Sequence, residues 1–294
     1  MKIISGPASV ELSENVSTLT GYQNVSVASK IFPDGETYVR LEGNISNNDN
    51  VAIIQTTCPP LQDSKLFQLA FIADVAKRMG ANKVTAIVPY LAYARQDKLF
   101  LSGEGISVRT IAHMLKASGI DEFLTINIHS EHVLSEFPFP AKTLSAISLL
   151  ASYFVEKGHK KAFALAPDKG AMYIAKEAQQ VLGGDVGHLS KNRDRYTGQT
   201  SQSAEGLDVE GQTVIIFDDI ISTGGTIVGA AKILKERGAK HVFTTCVHPL
   251  LIGDASKRIL DAGVEEIVGT NSVPGAFSKV SLAPLISKHL KGAP

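Results

Sequence analysis

Residues 214–226 constrain this chain more than any other stretch. Val214, Ile215, Ile216 and Phe217 form an apolar, largely β-branched run that stops at the paired carboxylates of Asp218 and Asp219. Ile220 and Ile221 then lead into Ser222, Thr223, Gly224, Gly225 and Thr226, after which Ile227, Val228, Ala230, Ala231, Ile233 and Leu234 repeat with a helical spacing. This order predicts a strand over 214–217, a turn, and a helix over 226–237, which is a βα turn at the C-terminal edge of a parallel sheet. Open α/β sheets bind ligands there. The two glycines allow close approach of backbone to an anion, the helix start offers free N–H groups, and three hydroxyls add donors. A phosphate fits. Asp218 and Asp219 would repel that phosphate unless they face sugar hydroxyls or a cation, so the ligand expected is a phosphosugar. An ordinary βα turn with solvated acids would account for any one of these residues, but less well for the set. No Lys follows the glycines and the G-x-x-x-x-G-K spacing is missing, which excludes a nucleoside-triphosphate P-loop.

A chain of 294 residues can bury one large core or two medium ones, and two domains are expected. Its 29 basic and 29 acidic residues cancel, which argues against a general nucleic-acid or membrane-surface binder. Anionic ligands must therefore be met locally. Met1, Lys2, Ile3 and Ile4 do not open a signal peptide, and no apolar run approaches membrane-spanning length, so a cytoplasmic protein without membrane or nucleic-acid partners is expected. Cys58 and Cys246 lie in or beside apolar segments without zinc-like spacing and read as buried free thiols.

Taken in order, the first half predicts strands over 2–5, 26–28, 38–41, 51–55, 84–88 and 123–128, with helices over 9–19, 63–79 and 106–118. The second half repeats the grammar, with helices over 145–157 and 171–182, a strand over 162–166, the 214–237 unit, and a strand over 242–247. Residues 76–91 and 234–250 share one order of helix end, Gly-Ala, strand and Pro exit. Duplicated α/β domains over 1–144 and 145–294 explain this, although helix–Gly–strand units also resemble one another by chance. Under duplication, residues 55–60 match the Asp218 loop but have lost both acids and the glycines.

Five further segments hold residues that packing alone does not select. Phe32, Asp34, Gly35 and Glu36 place a ring and two carboxylates around a turn-forming glycine, suited to stacking on a base; a plain Asp-Gly hairpin turn would use the same residues. Arg95 and Gln96 follow a strand exit, where a guanidinium can stack on a purine or simply be solvated. His129 follows a strand as a candidate for metal or phosphate contact. Asp168 begins an acid-and-Gly turn, Pro167 to Ala171, able to hold a cation or a pyrophosphate. Lys191 and Arg193 open a polar stretch running to about Gly211, which reads as a cationic lid over a polyphosphate or as a solvated hairpin.

The 214–226 stretch resembles the phosphoribosyl-pyrophosphate loop of the phosphoribosyltransferase superfamily, and the full set resembles ribose-phosphate pyrophosphokinases across essentially the whole chain. The resemblance implies two tandem phosphoribosyltransferase-like, Rossmann-like α/β domains, each a mostly parallel sheet flanked by helices. It implies that Phe32, Asp34, Gly35, Glu36, Arg95 and Gln96 contact ATP and that His129 and Asp168 hold Mg²⁺. Lys191 and Arg193 become the catalytic pair, while Asp218, Asp219, Ser222, Thr223, Gly224, Gly225 and Thr226, together with Arg193, bind ribose 5-phosphate. The implied reaction moves the pyrophosphoryl group of ATP to the C1 hydroxyl of ribose 5-phosphate, in a homo-oligomer.

Three stretches depart from the bacterial pattern. Asn127 stands where Asp is usual two residues before the metal His, Lys169 and Ala171 alter the expected Gly-Gly turn, and Leu99, Leu101 and Gly103 replace basic residues. These departures point to archaeal-type members and away from allosteric control by phosphate and ADP. Two other readings stay open: a phosphoribosyltransferase that consumes the activated sugar, and a catalytically silent regulatory homologue. Retention of Lys191, Arg193, His129 and Asp168 speaks against the second.

Overall fold

The computed structural model describes residues 1–99, 101–193, 200–203 and 207–292, with backbone alone at 191–193 and 200–203. The chain divides into two compact units, Met1–Leu144 with Ser281–Pro294, and Ser145–Val280. In the first, β1 (Lys2–Ser5), α1 (Val10–Thr20), β2 (Gln23–Ile31), β3 (Thr37–Glu42), β4 (Asn50–Ile54), α2 (Gln62–Arg78) and β5 (Lys83–Val88) are followed by α3 (Ser107–Ala117), β6 (Glu122–Ile126), a 3-10 helix (Glu131–Glu136) and β7 (Ala141–Leu144). The second contains α4 (Ile147–Glu156), β8 (Phe163–Ala166), α5 (Met172–Leu182), β9 (Val186–His188), β10 (Ser190–Arg193), β11 (Thr200–Ser203), β12 (Thr213–Ile221), α6 (Gly225–Glu236), β13 (His241–Pro249), α7 (Ala255–Asp261), β14 (Ile267–Thr270) and β15 (Ser278–Val280). The last helix, α8 (Ala283–Leu290), returns to the first unit.

Each unit is built on one sheet. The first runs β3-β2-β1-β4-β5-β6-β7, parallel except for the β2–β3 hairpin, and the second runs β15-β14-β13-β12-β8-β9, parallel throughout. Burial on both faces explains why the central strands read as unbroken apolar runs: Val51 to Ile54 and Val214 to Phe217 are all buried. The flanking helices are amphipathic. α3 buries Val108, Ile111, Ala112 and Leu115, and α6 buries Ile227, Ala230, Ala231 and Leu234, each set following the i, i+3, i+4, i+7 spacing. The core of the second unit joins Phe163, Leu165, Val214 and Ile216 of the sheet to the α6 stripe and to Ile259 and Ile267.

The expected duplication is visible in topology. With β3 set aside, the first sheet reads β2-β1-β4-β5-β6-β7, and the second reads β9-β8-β12-β13-β14-β15, the same order in the same chain sequence. The helix ends matched in sequence also share a cap. Gly80 and Gly238 take positive φ of 103° and 79°, and the amides of Ala81 and Ala239 reach back to the carbonyls of Ala76 and Leu234, both at 3.0 Å.

Several boundaries differ from the sequence-based expectation. β12 does not halt at the acids but continues through Asp218 and Asp219 to Ile221, because β13 pairs with it as far as Ile221 opposite Pro249. β6 ends at Ile126 rather than 128, since Asn127 turns into the left-handed region at φ 38°, which Asn tolerates better than most residues. Residues 281–294, expected with the second half, belong with the first. α8 packs on α1, buries Ala283 and Ile286, and its Leu290 carbonyl accepts the Tyr22 hydroxyl at 3.4 Å. Reciprocally, α4, which follows β7, packs on α5 in the second unit. Each unit thus takes in the helix that follows the other unit's last strand.

Candidate active site

The 218–226 segment lies where the topology expects a ligand, at the C-terminal end of β12 beside its parallel neighbours β8 and β13. Gly224 caps α6 with φ 76°, and no side chain caps the helix. The amides of Gly225, Thr226 and Ile227 stand in the first turn, where no earlier carbonyl of the helix can receive them. The two glycines are needed for different reasons. A Cβ on Gly224 would meet Ile259 Cδ1 at 2.9 Å and would be strained by its positive φ, whereas among the described residues beyond its own helix turn a Cβ on Gly225 would meet nothing within 4 Å. None of the described residues therefore demands glycine at 225, and the open space beside it is where an anion can approach the backbone. The outer side of the loop is braced: Arg258 donates to the Thr223 carbonyl, and the amides of Leu251 and Ile252 donate to the carbonyls of Ile221 and Ser222, both at 3.0 Å.

Carboxylates gather at the same edge. Asp218 pairs across to Cys246 and Asp219 is 8% exposed. Asp218 Oδ1 accepts the Asp219 amide at 2.9 Å, and Asp219 Oδ1 accepts the Ile220 amide at 2.7 Å. Burial, followed by the charge of Asp219 and more weakly that of Asp168, pushes the Asp218 carboxyl well above the usual carboxylate range. Asp168 sits at the exit of β8, next to β12 in the sheet, and its Oδ1 accepts the amides of Gly170 at 2.8 Å and Ala171 at 3.2 Å. Those two amides thus close the turn onto Asp168. Cys246 is fully buried, and burial raises its thiol, so it is inert packing; Cys58 is buried and free as well.

In the first unit, Phe32 to Glu36 form the tip of the β2–β3 hairpin. The Phe32 amide donates to the Glu36 carbonyl and the Gly35 amide to the Phe32 carbonyl, both at 2.8 Å, while Asp34 Oδ1 accepts the Glu36 amide at 3.1 Å. An Asp-Gly turn is therefore present, and it leaves Phe32 37% exposed, with its ring against Tyr38 and Lys30 Nζ 4.4 Å from its centroid. Arg95 and Gln96 are exposed in the segment after β5, begun by Tyr93 at φ 66°. His129 is exposed three residues beyond β6, and Asn127 before it is buried at 8%.

His129 and Asp168 belong to different units. Among the described residues no group of three or more His, Cys, Asp and Glu side chains gathers as a metal cage. Lys191 and Arg193 lie on β10, opposite Gln202 and Thr200 of β11; their side chains are outside the described residues, as is the stretch that follows them. Sequence reasoning missed the groups that brace the site. Asp63, Ser107, His132 and Arg258 each contact a site segment distant in sequence, through Tyr93, Gln96, Asp97 and Thr223 respectively, and no local pattern announces them.

A duplicated parallel sheet with acids and a glycine-capped helix start at its C-terminal edge defines a phosphoribosyltransferase-like α/β protein built for a phosphosugar. Residues 1–119 match the N-terminal domain of ribose phosphate pyrophosphokinase, and residues 204–287 match the phosphoribosyl synthetase-associated domain. A ribose-phosphate pyrophosphokinase of Methanobrevibacter smithii is 42% identical, covering 98% of this chain and 99% of that protein, and one of Sulfurisphaera tokodaii is 38% identical over 99% and 100%. The crystal structure of phosphoribosylpyrophosphate synthetase from Mycobacterium smegmatis superimposes with a TM-score of 0.87 at 29% identity, covering 99% of this chain and 97% of that one. The chain belongs to the ribose-phosphate pyrophosphokinase family. No helix among the described residues is long and apolar enough to cross a membrane.

Proposed function

We infer that this protein transfers the β,γ-pyrophosphoryl group of ATP to the C1 hydroxyl of ribose 5-phosphate, forming 5-phosphoribosyl 1-pyrophosphate and AMP. Full-length similarity to ribose-phosphate pyrophosphokinases supports the reaction. The observation that carries it at the site is Gly225, a glycine that none of the described residues requires, at a helix start facing open space. The phosphate of ribose 5-phosphate takes the first-turn amides of α6 and the hydroxyls of Ser222, Thr223 and Thr226. Asp218 and Asp219 accept from ribose hydroxyls, the partners that relieve two crowded carboxylates without opposing the phosphate.

The adenine stacks on Phe32 and Arg95, while Asp34, Gly35, Glu36 and Gln96 present acceptors and donors to the base and ribose. The C1 hydroxyl oxygen forms a bond to the β-phosphorus as the bond from that phosphorus to the α,β-bridging oxygen breaks. AMP leaves with that oxygen, and the hydroxyl proton passes to solvent. Negative charge accumulates on the transferred group, so positioning and positive charge supply most of the catalysis, and Lys191 and Arg193 are the residues of this chain that bring it.

His129 and Asp168 are the side chains that would hold magnesium. One carboxylate beside substrate phosphates is a common way to hold this ion, and the surplus negative charge felt at Asp218 is of the sign a cation relieves. An ion held there would supply positive charge to offset that of the polyphosphate.

Incubation of the protein with ATP, magnesium and ribose 5-phosphate, without any nucleobase, is expected to release AMP. A phosphoribosyltransferase would release none, and a silent regulatory homologue would bind ATP without turnover. Replacing Lys191 by Ala is expected to lower turnover by about two to three orders of magnitude, with smaller effects on substrate affinity. We also propose a cytoplasmic homo-oligomer, which light scattering on the purified protein tests.

A further inference from the structure

Three tethers hold the segment that carries Arg95 and Gln96. The Tyr93 hydroxyl donates to Asp63 near the start of α2, the Ser107 hydroxyl at the start of α3 donates to Gln96 Oε1, and Asp97 Oδ2 lies 3.3 Å from His132 Nε2. The first two fasten the segment to the helices on either side of it in sequence. The third reaches past them to the residues after β6, where His129 stands.

His132 is itself fixed. Its Nδ1 lies 2.6 Å from Ser130 Oγ, and its carbonyl accepts the Ser135 hydroxyl at 2.6 Å. With a carboxylate at one ring nitrogen and a hydroxyl at the other, the neutral tautomer that satisfies both carries its hydrogen on Nε2, donating to Asp97 and accepting from Ser130. The Asp97 side chain is only 11% exposed, against 54% for His132. A largely covered carboxylate has little water to replace a lost donor, so the contact matters more to Asp97 than to the ring.

We propose that Ser130, His132 and Asp97 form a positioning relay that locks the Arg95–Gln96 segment to the His129 segment, so that ATP meets both in one fixed arrangement. The proposal rests on the assignment of Arg95 and Gln96 to the nucleotide. Asp97 and His132 are positioning residues. They act by holding their neighbours in a binding geometry before the nucleotide arrives, which lowers the ordering cost of binding.

Calorimetric titration of the full chain with ATP in excess magnesium, alongside titration with ribose 5-phosphate, tests the relay. Asp97→Ala and His132→Ala are each expected to weaken ATP binding by about three- to tenfold, with the double variant little worse than either, because both remove one contact. Affinity for ribose 5-phosphate should not move. His132→Gln, whose amide can still donate to Asp97, should recover most of the loss. Multiplying effects in the double variant, an equal loss for ribose 5-phosphate, no loss at all, or no recovery with Gln would each overturn the relay. Binding is read rather than turnover, so an unaltered chain that binds ATP yet forms no AMP overturns the proposed reaction and leaves the relay to be decided by the variants. An unaltered chain that binds no ATP overturns both.

Discussion

A methyl group on Gly224 would press within 2.9 Å of Ile259 Cδ1, while at the adjacent Gly225 no described residue beyond its own helix turn comes within 4 Å of the same position. Two neighbouring glycines thus differ in what the fold asks of them: packing requires Gly224, while Gly225 is left to the proposed phosphate. Gly224→Ala forces a left-handed alanine against α7 and is expected to cost about 1–3 kcal/mol, read as a lowered thermal midpoint. Gly225→Ala adds a better helix former at an unstrained first position and should hold or raise stability by about 0.5–1 kcal/mol. Its affinity for ribose 5-phosphate should nevertheless fall at least tenfold. Equal affinity in the Gly225→Ala variant would remove the phosphate from this loop.

Asp218 carries a cost that folding alone does not need. Its folded-state carboxyl is raised by burial and by Asp219, so between its ordinary value of 3.8 and the raised value the folded chain binds more protons than the unfolded one. The sign follows: its contribution is most favourable below 3.8 and is lost as pH rises through the raised value. Asp218→Asn is therefore expected to raise the thermal midpoint at neutral pH, with the gain shrinking as pH falls toward 4. The same variant should lose ribose 5-phosphate turnover. A midpoint gain that is the same at acid and neutral pH would place the penalty elsewhere.

Much of the fold is legible in the sequence because its strongest signals are local. The α3 and α6 stripes, the buried runs of β4, β5 and β12, and the Gly-Ala helix exits at 80 and 238 are each written within a dozen residues. The short edge strands β7, β9 and β15, of three or four residues, carry too few side chains for a period to show. The extension of β12 past Asp218 depends on β13, and the attachment of α8 depends on α1, so neither can be read from its own segment. The site divides in the same way. The Asp218–Thr226 loop is visible as a motif, whereas His132 becomes notable only once folding sets it beside Asp97.

Part of the acid sensitivity should trace to one ion pair. Lys2 Nζ lies 2.9 Å from Asp49 Oδ2, and the amide and hydroxyl of Ser46 also donate to that oxygen, at 2.8 and 2.9 Å. The hydrogen bond from Lys2, followed by those from Ser46, holds the Asp49 carboxyl at about 2. A depressed carboxyl stabilises the fold above its ordinary value of 3.8 and loses that contribution as pH falls from 3.8 through about 2. Asp49→Asn should consequently flatten the pH dependence of the urea midpoint across that window while changing little in high salt, where the charge is screened. An unchanged acid limb in the variant would show that other carboxylates govern it.

Asp168 allows charge and shape to be separated. Its Oδ1 holds the Gly170 and Ala171 amides at the entry to α5, and an asparagine oxygen accepts the same two bonds. Asp168→Asn should therefore keep the thermal midpoint, whereas Asp168→Ala should lose about 0.5–2 kcal/mol with the turn. Only the negative charge distinguishes Asp from Asn here, and a cation reads charge. If Asp168 helps to hold magnesium, the Asn variant should need at least about tenfold more magnesium for half-maximal AMP release, and chelation should abolish release in the unaltered chain until magnesium is restored. An Asn variant with an unaltered magnesium requirement would confine Asp168 to the turn and leave His129 without its expected partner.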